Sequence, residues 1–255
     1  MNATPPIVSA SEAGLSLVRE DAVAWLWLDR PAHGNRFGPA LATALQASIE
    51  RLACDDELAC IVLAGRGATF CAGHDDTALA GLDDPRQRRA ALLAMSDCLL
   101  ALAETPKITV ARVHGAIGGA GLELVAACDL AVCADDTRAV ASPLRAGGWP
   151  HTTALALGRA LPDKLAFDLL CCGREYDARA LLATGLVSRV AAAGRLDEAI
   201  STMLEAIRRR NPYTLALGKY AYRQQSTMNV THAHEFVAEQ VAYHDAPAPG
   251  RGDES

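Results

Sequence analysis

The chain has 255 residues, of which 51% are apolar, so it can bury a substantial core in one large domain or in a core with an appendage. Its formal net charge is −6 and it lacks a basic stripe, which argues against nucleic acid as a partner. We find no signal peptide, no transmembrane run and no paired metal-ligand spacing among the eight cysteines, and therefore expect a cytoplasmic protein with reduced thiols, no membrane contact and no metal.

The hydrophobic patterns predict alternating strands and helices over the first three quarters of the chain. Residues 1–14 are expected to form a loose start, 83–85 and 145–150 to form loops, and 245–255 to fray. Strands are expected at 22–28, 60–64, 108–113, 129–133 and 186–190. Helices are expected at 38–52, from the 83–85 loop through 102, and at 152–161, 163–172, 178–184, 196–210, 212–225 and 230–244.

This pattern divides the chain into an α/β part at 1–192 and a helical part at 193–255. The helical part cannot cover its own apolar face. It is therefore expected either to fold back on the core or to dock on a neighbouring subunit.

The most informative local feature is a pair of glycine-rich turns. The first is Phe70-Cys71-Ala72-Gly73-His74-Asp75, and the second runs from His114 to Glu123 and contains Gly118-Gly119-Ala120-Gly121. Each follows a predicted buried strand and leads toward helical sequence. A turn that opens a helix points free backbone N–H groups outward, so two such turns brought together would aim two donors at one oxygen. That arrangement stabilises an oxyanion.

Three side chains near these turns can carry protons. Glu123 lies three residues beyond Ala120 and therefore on nearly the same helix face as the N–H groups of the turn; alternatively, it is only an acidic residue favoured by the helix dipole. His74 contributes either its main chain alone or also an imidazole that faces the cleft. His151 either faces the same cleft from a helix N-terminus or merely ends a loop.

The sequence resembles the crotonase superfamily, the enoyl-CoA hydratase/isomerase family, over nearly its whole length. The matching segments are Leu28-Asp29-Arg30-Pro31 with Asn35, Phe70 to Asp75, Gly115 to Leu124 with Cys128-Asp129, Gly185-Leu186-Val187, and Asn211-Pro212. The resemblance implies a spiral of strand–strand–helix (ββα) units and a C-terminal helical trimerisation region, hence a homotrimer or a hexamer. It also implies acyl-coenzyme A thioester substrates, with no cofactor beyond the coenzyme A of the substrate.

The resemblance also implies roles for individual residues. The backbone N–H groups of His74 and Ala120 correspond to the oxyanion hole of the family, and Glu123 corresponds to one of its two acid–base glutamates. The residues expected at the coenzyme are Arg30 and Arg36, the turn residues Ala72, Gly73 and Gly119, and Lys219 or Arg223 from the late helices. The acyl pocket is expected to be lined partly by the segment 79–100.

The chain departs from the family at the second glutamate, where Leu144 stands. Hydration of a 2-enoyl thioester is the first hypothesis. The alternatives are isomerisation, decarboxylation or thioester hydrolysis through His74 or His151, and a non-catalytic acyl-CoA binder. The presence of Glu123 argues against the binder.

Overall fold

The computed structural model describes residues 9–11, 13–141 and 148–244. Leu144, the first half of the predicted 145–150 loop and the predicted frayed tail lie outside the described residues. The described chain forms two sheets surrounded by helices, as expected of a crotonase-like α/β spiral.

The larger sheet has seven strands, and its spatial order is β1-β2-β3-β4-β6-β8-β11. The first three strands pair antiparallel, and from β3 to β11 all neighbours are parallel. Its strands are β1 (Ser9–Ser11), β2 (Leu15–Glu20), β3 (Val23–Leu28), β4 (Cys60–Gly65), β6 (Ile108–Val113), β8 (Leu130–Ala134) and β11 (Arg189–Ala191). The strand β4 is buried along its whole length, as both faces of a covered parallel sheet must be.

The smaller sheet has four short strands in the order β10-β9-β7-β5. They are β5 (Thr69–Cys71), β7 (Ala116–Ile117), β9 (Arg138–Ala139) and β10 (Tyr176–Asp177). Three strands of the larger sheet, β4, β6 and β8, are each followed by a strand of the smaller sheet and then by a helix, which produces the ββα repeat of the spiral: β4–β5, β6–β7 and β8–β9.

Ten helices lie in the described part of the chain: α1 (Pro39–Ala53), α2 (Asp76–Ala80), α3 (Pro85–Glu104), α4 (Gly119–Ala127), α5 (His151–Ala160), α6 (Asp163–Cys171), α7 (Ala178–Thr184), α8 (Leu196–Arg208), α9 (Pro212–Gln225) and α10 (Val230–His244). Local sequence explains several of their ends. Asn211 accepts hydrogen bonds from the first-turn amides of α9 and Pro212 occupies its first position, while Gly185 ends α7 in the left-handed conformation.

The structure differs from the sequence-based elements in several places: β2, α2 and the strands of the smaller sheet were not expected, and three expected segments are corrected. The expected loose start contains β1, which pairs with β2 through Ser9 and Leu17. The strand expected at 186–190 begins only at Arg189, because Leu186 and Val187 are buried in the main core before the chain joins the sheet. Pro85 is the first residue of α3 rather than part of a loop, and Asp84 caps that helix.

The larger sheet has a core on each face. On one face the main core packs against α1, α3 and α4 and continues to α5, α6 and α7. On the opposite face a smaller core, including Cys60, Val62 and Val132, is covered by Ile200 and Met203 of α8. The helix α8, which lies beyond the predicted boundary at residue 192, therefore folds back on the α/β core.

The helices α9 and α10 bury no residue fully. Large apolar side chains on them remain exposed, namely Tyr213, Tyr220, Tyr222, Val230, Val237, Val241 and Tyr243. Only part of the helical region thus covers its apolar surface on the chain itself.

Candidate active site

Parallel pairing of β5 with β7 brings the two glycine-rich turns side by side. Thr69 pairs with Ala116 and Cys71 with Ile117, so both chains leave the sheet at the same edge. The amide of Gly118 then donates a 2.9 Å hydrogen bond to the carbonyl of Cys71. The turns, which are far apart in sequence, are therefore joined backbone to backbone.

This close approach requires glycine at two positions. Gly73 has a φ of +130°, a backbone conformation that residues other than glycine rarely adopt. A Cβ atom on Gly118 would lie 2.6 Å from the carbonyl carbon of Ala72 and 2.9 Å from the Cα of Gly73. Since these neighbours are backbone atoms, any side chain at Gly118 would push the turns apart.

The amides of His74 and Ala120 are both free of backbone partners. Phe37 donates to the carbonyl of Gly73 and accepts from the amide of Asp75, so the alternation of an extended chain turns the His74 N–H away from Phe37. Ala120 is the second residue of α4, where an amide has no partner within the helix. Within residues 13–141 and 148–244, neither amide donates a hydrogen bond to another backbone group.

A cavity of about 440 Å³ opens at the junction of the turns. Gly73, His74, Gly118 and Gly119 line it on one side, and the start of α5, including His151, lines another. Leu79 and Leu92, from the 79–100 segment, contribute apolar surface. Ala120 follows the lining residue Gly119 directly but is itself buried and does not line the cavity. The cavity therefore combines backbone of both glycine-rich turns with titratable side chains and apolar walls.

Glu123 lies directly behind the wall of this cavity. Its side chain is 2% exposed, and it comes from the first half of α4. Its Oε1 accepts hydrogen bonds from Thr152 Oγ1 at 2.9 Å and from Thr153 Oγ1 at 2.7 Å, and it lies 3.2 Å from His74 Nε2. These three neighbours line the cavity, so Oε1 of Glu123 is linked to the cavity through them.

The imidazole of His74 is 21% exposed and touches both Glu123 and Thr152 Oγ1, the latter at 3.3 Å. Burial lowers its pKa, but the hydrogen bond that the imidazole donates to Glu123 and the charges of Glu123 and Asp76 outweigh burial, so the pKa of His74 is raised above 6.5. A protonated His74 is thus stabilised by the buried carboxylate.

The threonine pair was not identified from the sequence. Thr153 is completely buried and Thr152 lines the cavity, both in the first turn of α5. The available signal was their position directly after His151, which the sequence already placed at a helix start. His151 itself is exposed at the first position of α5 and lines the cavity.

The two candidate arginines lie beside the first glycine turn. A second cavity, of about 710 Å³, adjoins the first and is lined by Arg30, Arg36 and Ala72. Arg36 and Ala72 line both cavities, and Arg36 Nη1 donates to the carbonyl of His74 at 2.9 Å. Arg30 forms an ion pair of 3.2 Å with Asp75. The structure thus gathers two cations next to the amide of His74.

Lys219 lies elsewhere. Its side chain is 7% exposed, its Nζ is 2.7 Å from Asp129 Oδ2, and it donates to the carbonyl of Lys107 at 2.9 Å. Arg223 pairs with the other oxygen of Asp129 at 2.7 Å. Within this chain, both candidates from the late helices therefore attach α9 to the start of β8.

Other sequence features have structural roles. Asn35 is fully buried with a φ of +52°; it accepts from the amide of Arg30 and donates to the carbonyls of Arg66 and Thr69. His114 contacts the carbonyl of Gly67, outside the cavity at the turns.

The described residues contain no group of three or more His, Cys, Asp or Glu side chains placed to hold a metal ion, and no described helix is long and apolar enough to cross a membrane.

Comparison with known proteins identifies the family of the chain. The sequence profile of the family enoyl-CoA hydratase/isomerase matches residues 18–248. The chain is 29% identical over 237 residues to the enoyl-CoA hydratase domain-containing protein 3, mitochondrial, of Rattus norvegicus, covering 92% of this chain and 79% of the relative. It is 32% identical over 209 residues to a putative enoyl-CoA hydratase of Thermus thermophilus, covering 79% of this chain and 81% of the relative.

The fold agrees as well. A crystal structure of an enoyl-CoA hydratase from Mycobacterium smegmatis superimposes with a TM-score of 0.87 at 32% identity, covering 90% of each chain. The chain therefore belongs to the enoyl-CoA hydratase/isomerase family of the crotonase superfamily and is an enzyme of that family.

Proposed function

We propose that this enzyme binds an acyl-CoA thioester with the thioester carbonyl oxygen between the amides of His74 and Ala120, and that Glu123 provides the acid–base function. The observation that carries the proposal is the buried Glu123 carboxylate beside the junction of the two glycine-rich turns. Two fixed amides stabilise the enolate that forms when water adds to the β-carbon or when the α-carbon loses a proton. Each such donor contributes about 3 kcal/mol, or a hundredfold or more in rate.

Hydration of a 2-enoyl-CoA is the first candidate reaction, in keeping with the names of the relatives. Isomerisation, decarboxylation and thioester hydrolysis share the same enolate or tetrahedral oxyanion and remain the alternatives, with His74 or His151 as the proton carrier. The apolar side chains of Leu79 and Leu92 favour an acyl group on that side of the cavity. Arg30, Arg36 and the turn residues Ala72, Gly73 and Gly119 would contact the coenzyme.

The test is an assay of the purified protein with crotonyl-CoA. We expect hydration by the wild type and a loss of about 10²–10⁴-fold in Glu123→Gln, the range for removal of one general acid–base group. Glu205→Gln on the exposed face of α8 is the matched control and should retain full activity.

If the wild type does not turn over crotonyl-CoA, or if Glu123→Gln turns it over equally fast, hydration through Glu123 is contradicted. Malonyl-CoA and a saturated acyl-CoA then test decarboxylation and hydrolysis. Calorimetry with free coenzyme A tests whether the protein is only a binder, and an absence of binding would contradict every form of the proposal.

We further propose that the exposed apolar side chains of α9 and α10 are covered in a homotrimer or hexamer, that no cofactor beyond the coenzyme of the substrate is needed, and that the enzyme is cytoplasmic. Light scattering, activity after exhaustive dialysis and cell fractionation test these points in turn. The rat relative is named as mitochondrial, so fractionation must separate the two compartments.

A further inference from the structure

The position of Glu123 raises the question of how its carboxylate exchanges a proton with a substrate in the cavity. Oε1 is occupied by two hydroxyl donors and lies beside His74, and the side chain is almost completely buried. Thr152 and Thr153 are held at the start of α5, so their hydroxyls are fixed relative to α4. Of the four groups, His74 is the titratable one that lines the cavity.

We propose that the His74 imidazole carries the proton to and from the substrate and that Glu123, held by Thr152 and Thr153, acts as its buried positioning partner. This inference rests on the proposed acyl-CoA chemistry, and it assigns the proton-transfer step within it to a side chain other than the glutamate. His74 then has two roles, because its backbone amide binds the thioester oxygen while its side chain handles the proton.

One proton carrier on one face of the substrate is sufficient for hydration. The oxygen of water forms a bond to the β-carbon, the electrons of the double bond move to the thioester oxygen, and neutral His74 takes the proton released by water. The enolate then collapses, the α-carbon takes that same proton from the imidazolium, and His74 is neutral again. Water is thus added completely and no second acid is consumed, which fits a chain with Leu144 where the family has its second glutamate.

The carboxylate behind the imidazole explains why His74 can hold the proton between the two steps. A carboxylate oxygen 3.2 Å from Nε2 stabilises the imidazolium, and the two threonine hydroxyls hold that carboxylate in place. The charged and titratable groups that line the cavity with the imidazole or act on it are Glu123 of α4, Asp76 of α2, Arg36 before α1 and His151 of α5. The Cys71 thiol of β5 interacts electrostatically with Glu123. Burial raises the pKa of Cys71 to about 12, so this thiol stays neutral and does not compete.

The two assignments predict different pH profiles. His74 must be neutral to accept a proton, and its pKa is raised above 6.5, so kcat/KM should fall as the pH decreases through a value above 6.5. If Glu123 itself faced the substrate as the base, activity would persist down to the titration range of a carboxyl group, about pH 4–5.

The first experiment is therefore the pH profile of the wild type, His74→Gln and Thr153→Val on whichever acyl-CoA the wild type converts. We expect His74→Gln to lose about 10²–10⁴-fold while free coenzyme A still binds, and Thr153→Val to move the acidic limb, with recovery in Thr153→Ser, which restores the hydroxyl. His234→Gln on the exposed face of α10 is the control. Full activity in His74→Gln, or an acidic limb at about pH 4–5, overturns the inference while leaving the acyl-CoA proposal intact.

The second experiment does not depend on turnover. Nuclear magnetic resonance titration of the His74 ring should give a pKa above 6.5 in the wild type and a clearly lower one in Glu123→Gln. An unchanged His74 titration in a folded Glu123→Gln overturns the pairing. A failure of the acyl-CoA proposal would instead appear as no conversion of any thioester and no coenzyme binding.

Discussion

Replacement of Gly118 by alanine would separate the two glycine-rich turns without removing any functional side chain. The added Cβ would lie 2.6 Å from the carbonyl carbon of Ala72, whereas ordinary contact begins at 3.4 Å. The backbone must therefore yield by close to 1 Å, a misplacement that can cost about 10²-fold in rate. If the amide of His74 or Ala120 is lost as a donor altogether, the cost rises to about 10²–10³-fold.

The assay for this variant is thioester turnover, measured together with thermal or chemical unfolding. We expect overpacking to cost about 1–3 kcal/mol of stability, so the variant should remain folded while kcat falls. Gly158→Ala is the matched control, because Gly158 is exposed on α5 with no atom near the added methyl group. Its activity should be unchanged and its stability equal or higher by about 0.5–1 kcal/mol.

The reasoning is refuted if Gly118→Ala turns over substrate as fast as the wild type. That result would mean either that the turns separate without cost or that the amides they carry take no part in the reaction.

Three further predictions concern stability and pH. Asn35→Ala should lower the free energy of unfolding by about 1–3 kcal/mol, measured by urea titration, because it leaves buried backbone groups of three segments without partners; an unchanged urea midpoint would contradict this. Lys219→Ala should cost about 1–3 kcal/mol, since Asp129 loses one of its two cations but keeps Arg223 and the hydrogen bonds from Thr109. Coenzyme A affinity should be unchanged; a loss of affinity at constant stability would instead support a coenzyme contact. The pKa of His74 is raised on folding, so its pairing with Glu123 stabilises the folded state below pH 6.5. This contribution to the free energy of unfolding is lost as the pH rises through the pKa that His74 has in the folded state. Glu123→Gln should abolish this pH dependence, and its persistence in the variant would contradict the pairing.

Much of the fold could be predicted because its long elements carry strong periodic patterns. The helices α1, α7, α9 and α10 and the strands β4 and β6 begin and end within a residue or so of their expected positions. The short strands of the smaller sheet were not predicted, since two or three residues cannot display an alternation. They are defined instead by pairing with neighbouring turns of the spiral, which is a tertiary property.

The candidate site likewise contains residues with a local sequence signal and contacts that only the tertiary fold creates. The two turns are recognisable from their glycine residues, which the backbone geometry requires. Glu123 and His74 are recognisable from their positions beside the turns. The contacts of Glu123 with Thr152 and Thr153 join α4 to α5 and have no local signal. The pairing of Lys219 with Asp129 is likewise visible only once α9 has folded onto the core.

The central claim is that two main-chain amides receive one thioester oxygen, and a crystal structure with a bound, unreactive acyl-CoA analogue measures this directly. We predict that the carbonyl oxygen lies about 2.7–3.1 Å from the nitrogens of both His74 and Ala120. A thioester bound with its oxygen beyond hydrogen-bonding distance of either nitrogen, or bound outside the cavity between the turns, would contradict the account.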